Sequence, residues 1–361
     1  MRLIWLSDFR SSQYSDLTFQ SLLWCSKLKE RGVEPVLCNV MPLDIRGRPI
    51  ELKFMDMRLI YPVGDILSMV QKVDPDIVLI YGAMGTHLHI ELPDITREYP
   101  TCYYAMLDPL ELLLNSKLTV DLPRVIDFMQ KADYIIAPSE VMEHRLRSYG
   151  CMDIAVVPLS VDPSQYSPTE CKDPTICILA KTSPVRNHLT LIEAISLVRE
   201  EVPEVELAIV PWREMLGGNA DLPQIYYETL QRLGLTPQVK FTGEIHPKDL
   251  FREVSILADP SFSSVSPSAV LQAYLHGVPC VLSYSAWSEM FTAPMKAFPD
   301  DPEDWAEKLV TLLTDEEEYK TTRHYQRQEM MRKFDVNKNI DRLIQVFENL
   351  QQLQLYKVKR K

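Results

Sequence analysis

Leu257-Ala-Asp-Pro-Ser-Phe-Ser-Ser-Val-Ser-Pro-Ser-Ala-Val-Leu-Gln-Ala-Tyr-Leu-His-Gly-Val-Pro-Cys-Val281 is the stretch on which the reading of this chain turns. Ile256 to Ala258 reads as a buried strand, a loop of small hydroxyl residues follows, then a short helix, then a second strand over Pro279 to Leu282. Ser266 is a capping residue and Pro267 suits a first helical position, where no backbone donor is lost. Gly277 suits a left-handed exit, and Pro279 blocks continuation. The helix therefore starts directly above a strand end. In an open α/β sheet ligands bind at that end, and the free N–H groups and positive dipole end of a helix favour phosphate. The stretch is a candidate nucleotide-diphosphate site.

Working outward, apolar strands alternate with amphipathic helices from the first residue. Arg2 to Leu6 predicts a strand, Asp16 to Arg31 a helix with Leu17, Phe19, Leu22, Leu23 and Leu28 at helical spacing, and Pro35 to Val40 the next strand. Strands are expected again at Met57–Tyr61, Ile77–Tyr81, Cys102–Met106, Tyr134–Ala137 and Ala155–Pro158, with a helix over 139–149 capped by Ser139 and ended by Gly150. Such alternation implies βαβ units and a mostly parallel sheet. The polar stretch from Pro163 to Pro174 interrupts the pattern, which resumes at Thr175–Ala180 and runs to Ser283, with only helices from Pro302 onward. The fold class expected is α/β, with a Rossmann-like lobe over 1–165, a second over 170–335, and a C-terminal helix over 336–361 returning to the first lobe.

A chain of 361 residues is too long for one ordinary core and fits two domains. Hydrophobic residues make up 46% and charged residues 24%, an ordinary globular balance. No apolar run approaches the roughly 20 residues of a membrane helix, and the N-terminus lacks a signal peptide's apolar region, so a cytoplasmic protein is expected. The seven cysteines include no Cys-x-x-Cys pair and read as reduced, mostly buried residues. A net charge of -12 opposes binding to a nucleic-acid backbone. The basic end, Lys357 to Lys361, reads as a solvated tail, or alternatively as a weak peripheral contact with an anionic membrane.

Further landmarks stand in order along the chain. They are Ala132-Asp-Tyr-Ile-Ile-Ala-Pro-Ser139, Val156-Val-Pro-Leu-Ser-Val-Asp162, Leu179-Ala-Lys-Thr-Ser-Pro-Val-Arg-Asn-His-Leu189, Val239-Lys-Phe-Thr-Gly243, the block at 257–281, and Trp287-Ser-Glu289. In that order they resemble the retaining glycosyltransferases of family 4, the group 1 transferases with the GT-B fold. The resemblance implies two Rossmann-like lobes with parallel sheets facing across a cleft, a nucleotide-sugar donor, and no cofactor or metal. It implies transfer of a hexose-type sugar with retention, to an acceptor that is a sugar, a lipid-linked group, a protein or a small molecule. Ser264 and Gln272 stand where the family carries two glutamates, the first on the donor sugar and the second on the ribose. Leu107 stands where it often carries His, before Asp108. The alternative reading is a catalytically degenerate homologue that binds nucleotide or a partner without transfer.

Sugar transfer builds negative charge on the leaving β-phosphate, which fixed cations and a helix N-terminus stabilise. Lys181 and Arg186, in the loop after the first strand of the second lobe, are the phosphate candidates, with surface cations as the plain alternative. Ser266 and Ser268 are candidates for phosphate contact or for simple capping, Gln272 for the ribose, and Gly243, Ser264 and Glu289 for the donor site by resemblance. His87 reads as an acceptor-side or catalytic group, a solvent-facing loop histidine, or a metal ligand, the last weakened because His87-x-His89 has no partner at ligand spacing. Asp108 is the other tentative catalytic residue.

Overall fold

In the first half of the chain the apolar runs form β1 (Arg2–Ser7), β2 (Glu34–Asn39), β3 (Ile50–Phe54), β4 (Met57–Tyr61), β5 (Ile77–Tyr81), β6 (Thr101–Tyr104), β7 (Tyr134–Ala137) and β8 (Ile154–Val156). The computed structural model describes residues 1–7, 16–40, 50–54, 57–61, 65–82, 94–106, 122–169, 171, 173–180, 184–210, 221–242, 245–262 and 267–359. These eight strands make one sheet in the order β3-β4-β2-β1-β5-β6-β7-β8. Each neighbouring pair is parallel except β3 against β4. β5 is buried along its whole length, as a parallel strand covered on both faces must be.

The crossovers are amphipathic helices: α1 (Asp16–Glu30), α2 (Ile66–Val73), α3 (Leu122–Lys131) and α4 (Glu140–Ser148). In α2 the buried residues Ile66, Met69, Val70 and Val73 follow helical spacing, and Asp65 caps the start by accepting from the Ser68 backbone N–H at 2.6 Å. Ser139 caps α4, its Oγ accepting from Met142 N at 3.2 Å, and Gly150 follows with φ +83°.

The second sheet holds β9 (Thr175–Leu179), β10 (Glu206–Val210), β11 (Val239–Phe241), β12 (Ile256–Asp259), β13 (Cys280–Ser283) and β14 (Met295–Ala297). Its order is β11-β10-β9-β12-β13-β14 with every neighbour parallel, which is the Rossmann order 3-2-1-4-5-6. The helices are α5 (His188–Glu201), α6 (Asp221–Leu233), α7 (Pro247–Leu250), α8 (Ser268–Leu275), α9 (Pro302–Thr314) and α10 (Glu316–Lys333). Ile176, Ile178, Leu191, Ile195, Leu207, Ile209 and Trp305 share one buried core between sheet, α5 and α9.

The chain divides into two compact units, one of Met1–Ser160 with Val336–Lys361 and one of Val161–Asp335. The last helix, α11 (Val336–Lys359), thus belongs to the first unit, where Asn339 Nδ2 donates to Ser160 Oγ at 3.0 Å and Arg31 pairs with Asp341 at 3.2 Å. Gln20 fixes the same corner, donating to the Ser160 carbonyl at 2.8 Å and accepting from its N–H at 3.0 Å. No described helix is long and apolar enough to cross a membrane.

Pro267, with φ −69° and ψ −4°, is already helical and its carbonyl accepts from Leu271 N at 3.1 Å, as a first helical residue does. Ser266, expected to cap this helix, lies outside the described residues. The structure departs from expectation at two strands. The antiparallel β3 and the short β14 were not anticipated from the sequence pattern. At Gly277 the left-handed exit holds, with φ +64°; an added Cβ there would also lie 3.0 Å from Arg323 Nη2 and 3.1 Å from Pro168 Cβ. The cysteines are all free, and all but the partly exposed Cys171 are buried.

Candidate functional site

The order of the second sheet decides where a ligand can sit. β9 and β12 are neighbours, yet the chain leaves β9 toward β10 and leaves β12 toward β13, so their outgoing loops diverge and open a crevice at the carboxyl ends. Leu179 and Asp259 are the last residues of those strands. The described residues that follow them, 184–187 on one side and 260–262 on the other, are thereby brought side by side.

Both loops are held by hydrogen bonds. The Phe262 backbone N–H donates to the Val185 carbonyl at 2.9 Å. Arg186, which ends a 3-10 turn over Pro184–Arg186, is 6% exposed and donates from Nη1 to Ser261 Oγ at 3.4 Å. Asn187 follows with φ +52°, a backbone region open to Asn at small cost. It donates to the Pro299 carbonyl at 2.6 Å and accepts from Thr190 Oγ1 at 2.8 Å, which sets the start of α5. His188, the first residue of α5, is buried and stacks on Tyr226 at 5.6 Å. Burial, then the positive charge of Arg186, drives its pKa down to about 3, so the ring is neutral at neutral pH.

On the other side of the crevice the loop leaving β12 is pinned at Ser261. Asp259 is 3% exposed, and its Oδ1 accepts from both the backbone N–H of Ser261, at 3.2 Å, and the Ser261 hydroxyl. The Ser261 carbonyl accepts from Trp287 Nε1 at 3.2 Å and from the Ser283 hydroxyl. Ser288 Oγ donates to the Ser283 carbonyl at 2.7 Å, and Lys296 donates to the Ser288 carbonyl at 2.6 Å. A chain of short polar side chains therefore runs along the carboxyl edge from β9 to β14.

Of the residues expected to form a site, the structure brings Arg186 and Ser268 to this edge and sets Gln272 a turn further along α8. Ser268 begins α8, buried. Gln272 is the one residue of the eight in α8 that is not buried. Glu289 lies exposed in a 3-10 turn over Ala286–Met290. Lys181, Gly243, Ser264 and Ser266 lie outside the described residues, as do His87, His89 and Asp108 in the first unit. In that unit the corresponding switch is between β1 and β5, where Ser7 Oγ donates to the Tyr81 carbonyl at 3.0 Å and Gly82 takes φ +65°.

Asp259, Ser261, Ser283, Trp287 and Lys296 were not foreseen as a set. One signal was present: a charged residue closing the apolar run Ile256-Leu-Ala-Asp259, with Pro-Ser after it, is the pattern of an Asp that bonds backbone two residues on. The long-range partners carried no such local mark.

By architecture the protein is of the GT-B class. The solved sucrose-phosphate synthase of Thermosynechococcus elongatus superposes with a TM-score of 0.79 at 13% identity, over 97% of this chain and 99% of that one. HepE of Anabaena, in complex with UDP and glucose, superposes with a TM-score of 0.78 at 15% identity, over 97% and 100%. Residues 173–315 match the family described as glycosyl transferases group 1, and residues 60–161 match the glucosyltransferase 3-like N-terminal domain. The D-inositol 3-phosphate glycosyltransferase of Corynebacterium glutamicum (strain R) is 24% identical over 149 residues, 39% of this chain and 35% of that protein. The chain thus aligns with about a third of that relative's length. The structural likeness gives the chain the GT-B fold, and the two family matches cover separate stretches of it.

Proposed function

We propose that the protein transfers a glycosyl group from a nucleotide-diphosphate sugar, with the diphosphate seated at the carboxyl end of β9 and β12. The observation that carries this is the buried Arg186 fastened to Ser261 across the switch point of a 3-2-1-4-5-6 sheet. A guanidinium already stripped of water and held in place pays little reorganisation when phosphate arrives, and it opposes the charge that grows on the leaving group. Lys181 is assigned as the second cation and the start of α8 as a source of backbone donors. Gln272, the one partly exposed residue of an otherwise buried helix, is assigned to a ribose hydroxyl, and Ser264, Ser266, Ser268, Gly243 and Glu289 to the donor site. The group 1 family match supports the reaction class, and the UDP and glucose of HepE support a uridine donor carrying a hexose. Retention, absence of a metal, and catalytic roles for Asp108 and His87 complete the reading.

A second reading has its own observation: Ser264 and Gln272 are uncharged where the resembling family carries glutamates. It makes the protein a nucleotide binder without transfer. One experiment separates the two. The protein is incubated with UDP-, GDP- and ADP-sugars, and nucleotide binding and nucleotide-diphosphate release are followed together. Binding with release supports transfer; binding without release with any donor supports the second reading; no nucleotide binding at all refutes both.

A further inference from the structure

We propose that Asp259 and Ser261 are positioning residues for Arg186, setting its phosphate affinity without touching phosphate themselves; this rests on the diphosphate site proposed above. A serine hydroxyl has one proton and two lone pairs. The Ser261 proton goes to Asp259 Oδ1, so a lone pair is left facing Arg186 Nη1 at 3.4 Å. The buried carboxylate, reached through one hydroxyl, dictates which way that hydroxyl points. With the proton turned toward the guanidinium instead, donor would meet donor and Arg186 would lose this anchor.

The serine is itself immobilised from three sides. Its N–H is bonded to Asp259 at 3.2 Å, and its carbonyl holds Trp287 Nε1 at 3.2 Å and the Ser283 hydroxyl. The next residue, Phe262, is fastened to Val185, the neighbour of Arg186. The Ser261 N–H and hydroxyl are both committed to Asp259, while the two residues act on a guanidinium placed at the switch point. Holding a long cationic side chain in one geometry removes an entropy cost that binding would otherwise carry.

The test is a double-mutant cycle read as binding of UDP, GDP and ADP, with uridine as the phosphate-free control. Ser261→Ala should weaken binding of the preferred nucleotide about 5- to 10-fold and leave uridine unchanged. In an Arg186→Ala background the same substitution should then cost nothing more, because the group it positioned is gone. Equal losses in both backgrounds, or a loss that uridine shares, would show a merely structural serine and overturn the proposal. Should Ser261→Ala unfold, Ser261→Cys keeps a side chain of similar shape whose sulfur accepts poorly, and it carries the same expectations. Wild-type protein that binds none of the three nucleotides would overturn the diphosphate site itself, a result distinct from additivity in the cycle.

Discussion

Glu329→Gln is the substitution whose cost follows most directly from the structure. Glu329 lies in α10, 3% exposed, and its carboxylate takes four bonds: Thr292 N at 2.8 Å and Thr292 Oγ1 at 2.7 Å on Oε1, Tyr274 OH at 2.8 Å and Ala293 N at 3.1 Å on Oε2. Burial, with the charge of Glu329 second, raises the Tyr274 pKa, so the phenol keeps the proton it donates. An amide in this place has an acceptor on one side only. Either flip lets the hydroxyl near its NH2 turn round and accept, yet strands one backbone N–H, of Ala293 or of Thr292. The stranded N–H is only part-buried, so its cost falls at the low end of the usual range of about 1–3 kcal/mol. The surviving bonds lose charge assistance of ~1 kcal/mol each, roughly offset because a neutral side chain is cheaper to desolvate. The net cost is about 1 kcal/mol, or roughly 2–4 °C in melting temperature for a unit of this size. Urea and thermal unfolding of wild type and Glu329→Gln measure it. A variant within about 0.5 kcal/mol of wild type, the usual range for an unremarkable surface change, would refute the account of this carboxylate.

Gln272→Glu should tighten UDP binding several-fold if the side chain meets a ribose hydroxyl, since a charged acceptor roughly doubles a hydrogen bond; calorimetry showing no gain would remove Gln272 from the site. Burial, partly offset by Glu329, lowers the Lys296 pKa from its ordinary 10.5 to about 8. The unfolded chain then holds more protons between those values, so this group adds stability as pH rises from 8; wild type should gain about 2 kcal/mol on Lys296→Met between pH 7.5 and 9.5. His188 works on the acid side: with its pKa at about 3 against an ordinary 6.5, the unfolded state takes up the proton first as pH falls. Denaturant unfolding at pH 7 and pH 5 should show wild type losing about 2 kcal/mol relative to His188→Phe.

The two-unit α/β layout is legible in the sequence because its strands are nearly continuous apolar runs with clear stops. Ile77–Tyr81, Tyr134–Ala137 and Glu206–Val210 need no tertiary information, and Gly150 and Gly277 mark helix exits that only a left-handed residue makes. β14 is three residues, Met295-Lys-Ala297, one of them a half-buried lysine whose charge is met by the Ser288 carbonyl, so nothing in its own pattern announces a strand. In the site, Arg186 is legible as a cation in a loop after a strand. That it is buried and fastened to Ser261 depends on strand order, a property of the whole sheet.

On the proposed function, the charge pattern of the carboxyl edge divides the work of transfer unevenly. Two kinds of charge develop in the reaction: negative on the departing diphosphate and positive on the anomeric carbon. The first is met by Arg186, buried and oriented by Ser261 and Asp259. The second gains less, because Ser264 carries no charge where the resembling family has the glutamate that meets the donor sugar. An uncharged Ser264 also spares the diphosphate a neighbouring anion in the ground state. Interactions shared by ground and transition state tighten binding without speeding the chemical step. The balance of this edge therefore favours a protein that holds its nucleotide firmly and turns over slowly, with nucleotide affinity set by Arg186 and its two positioning residues and rate set elsewhere.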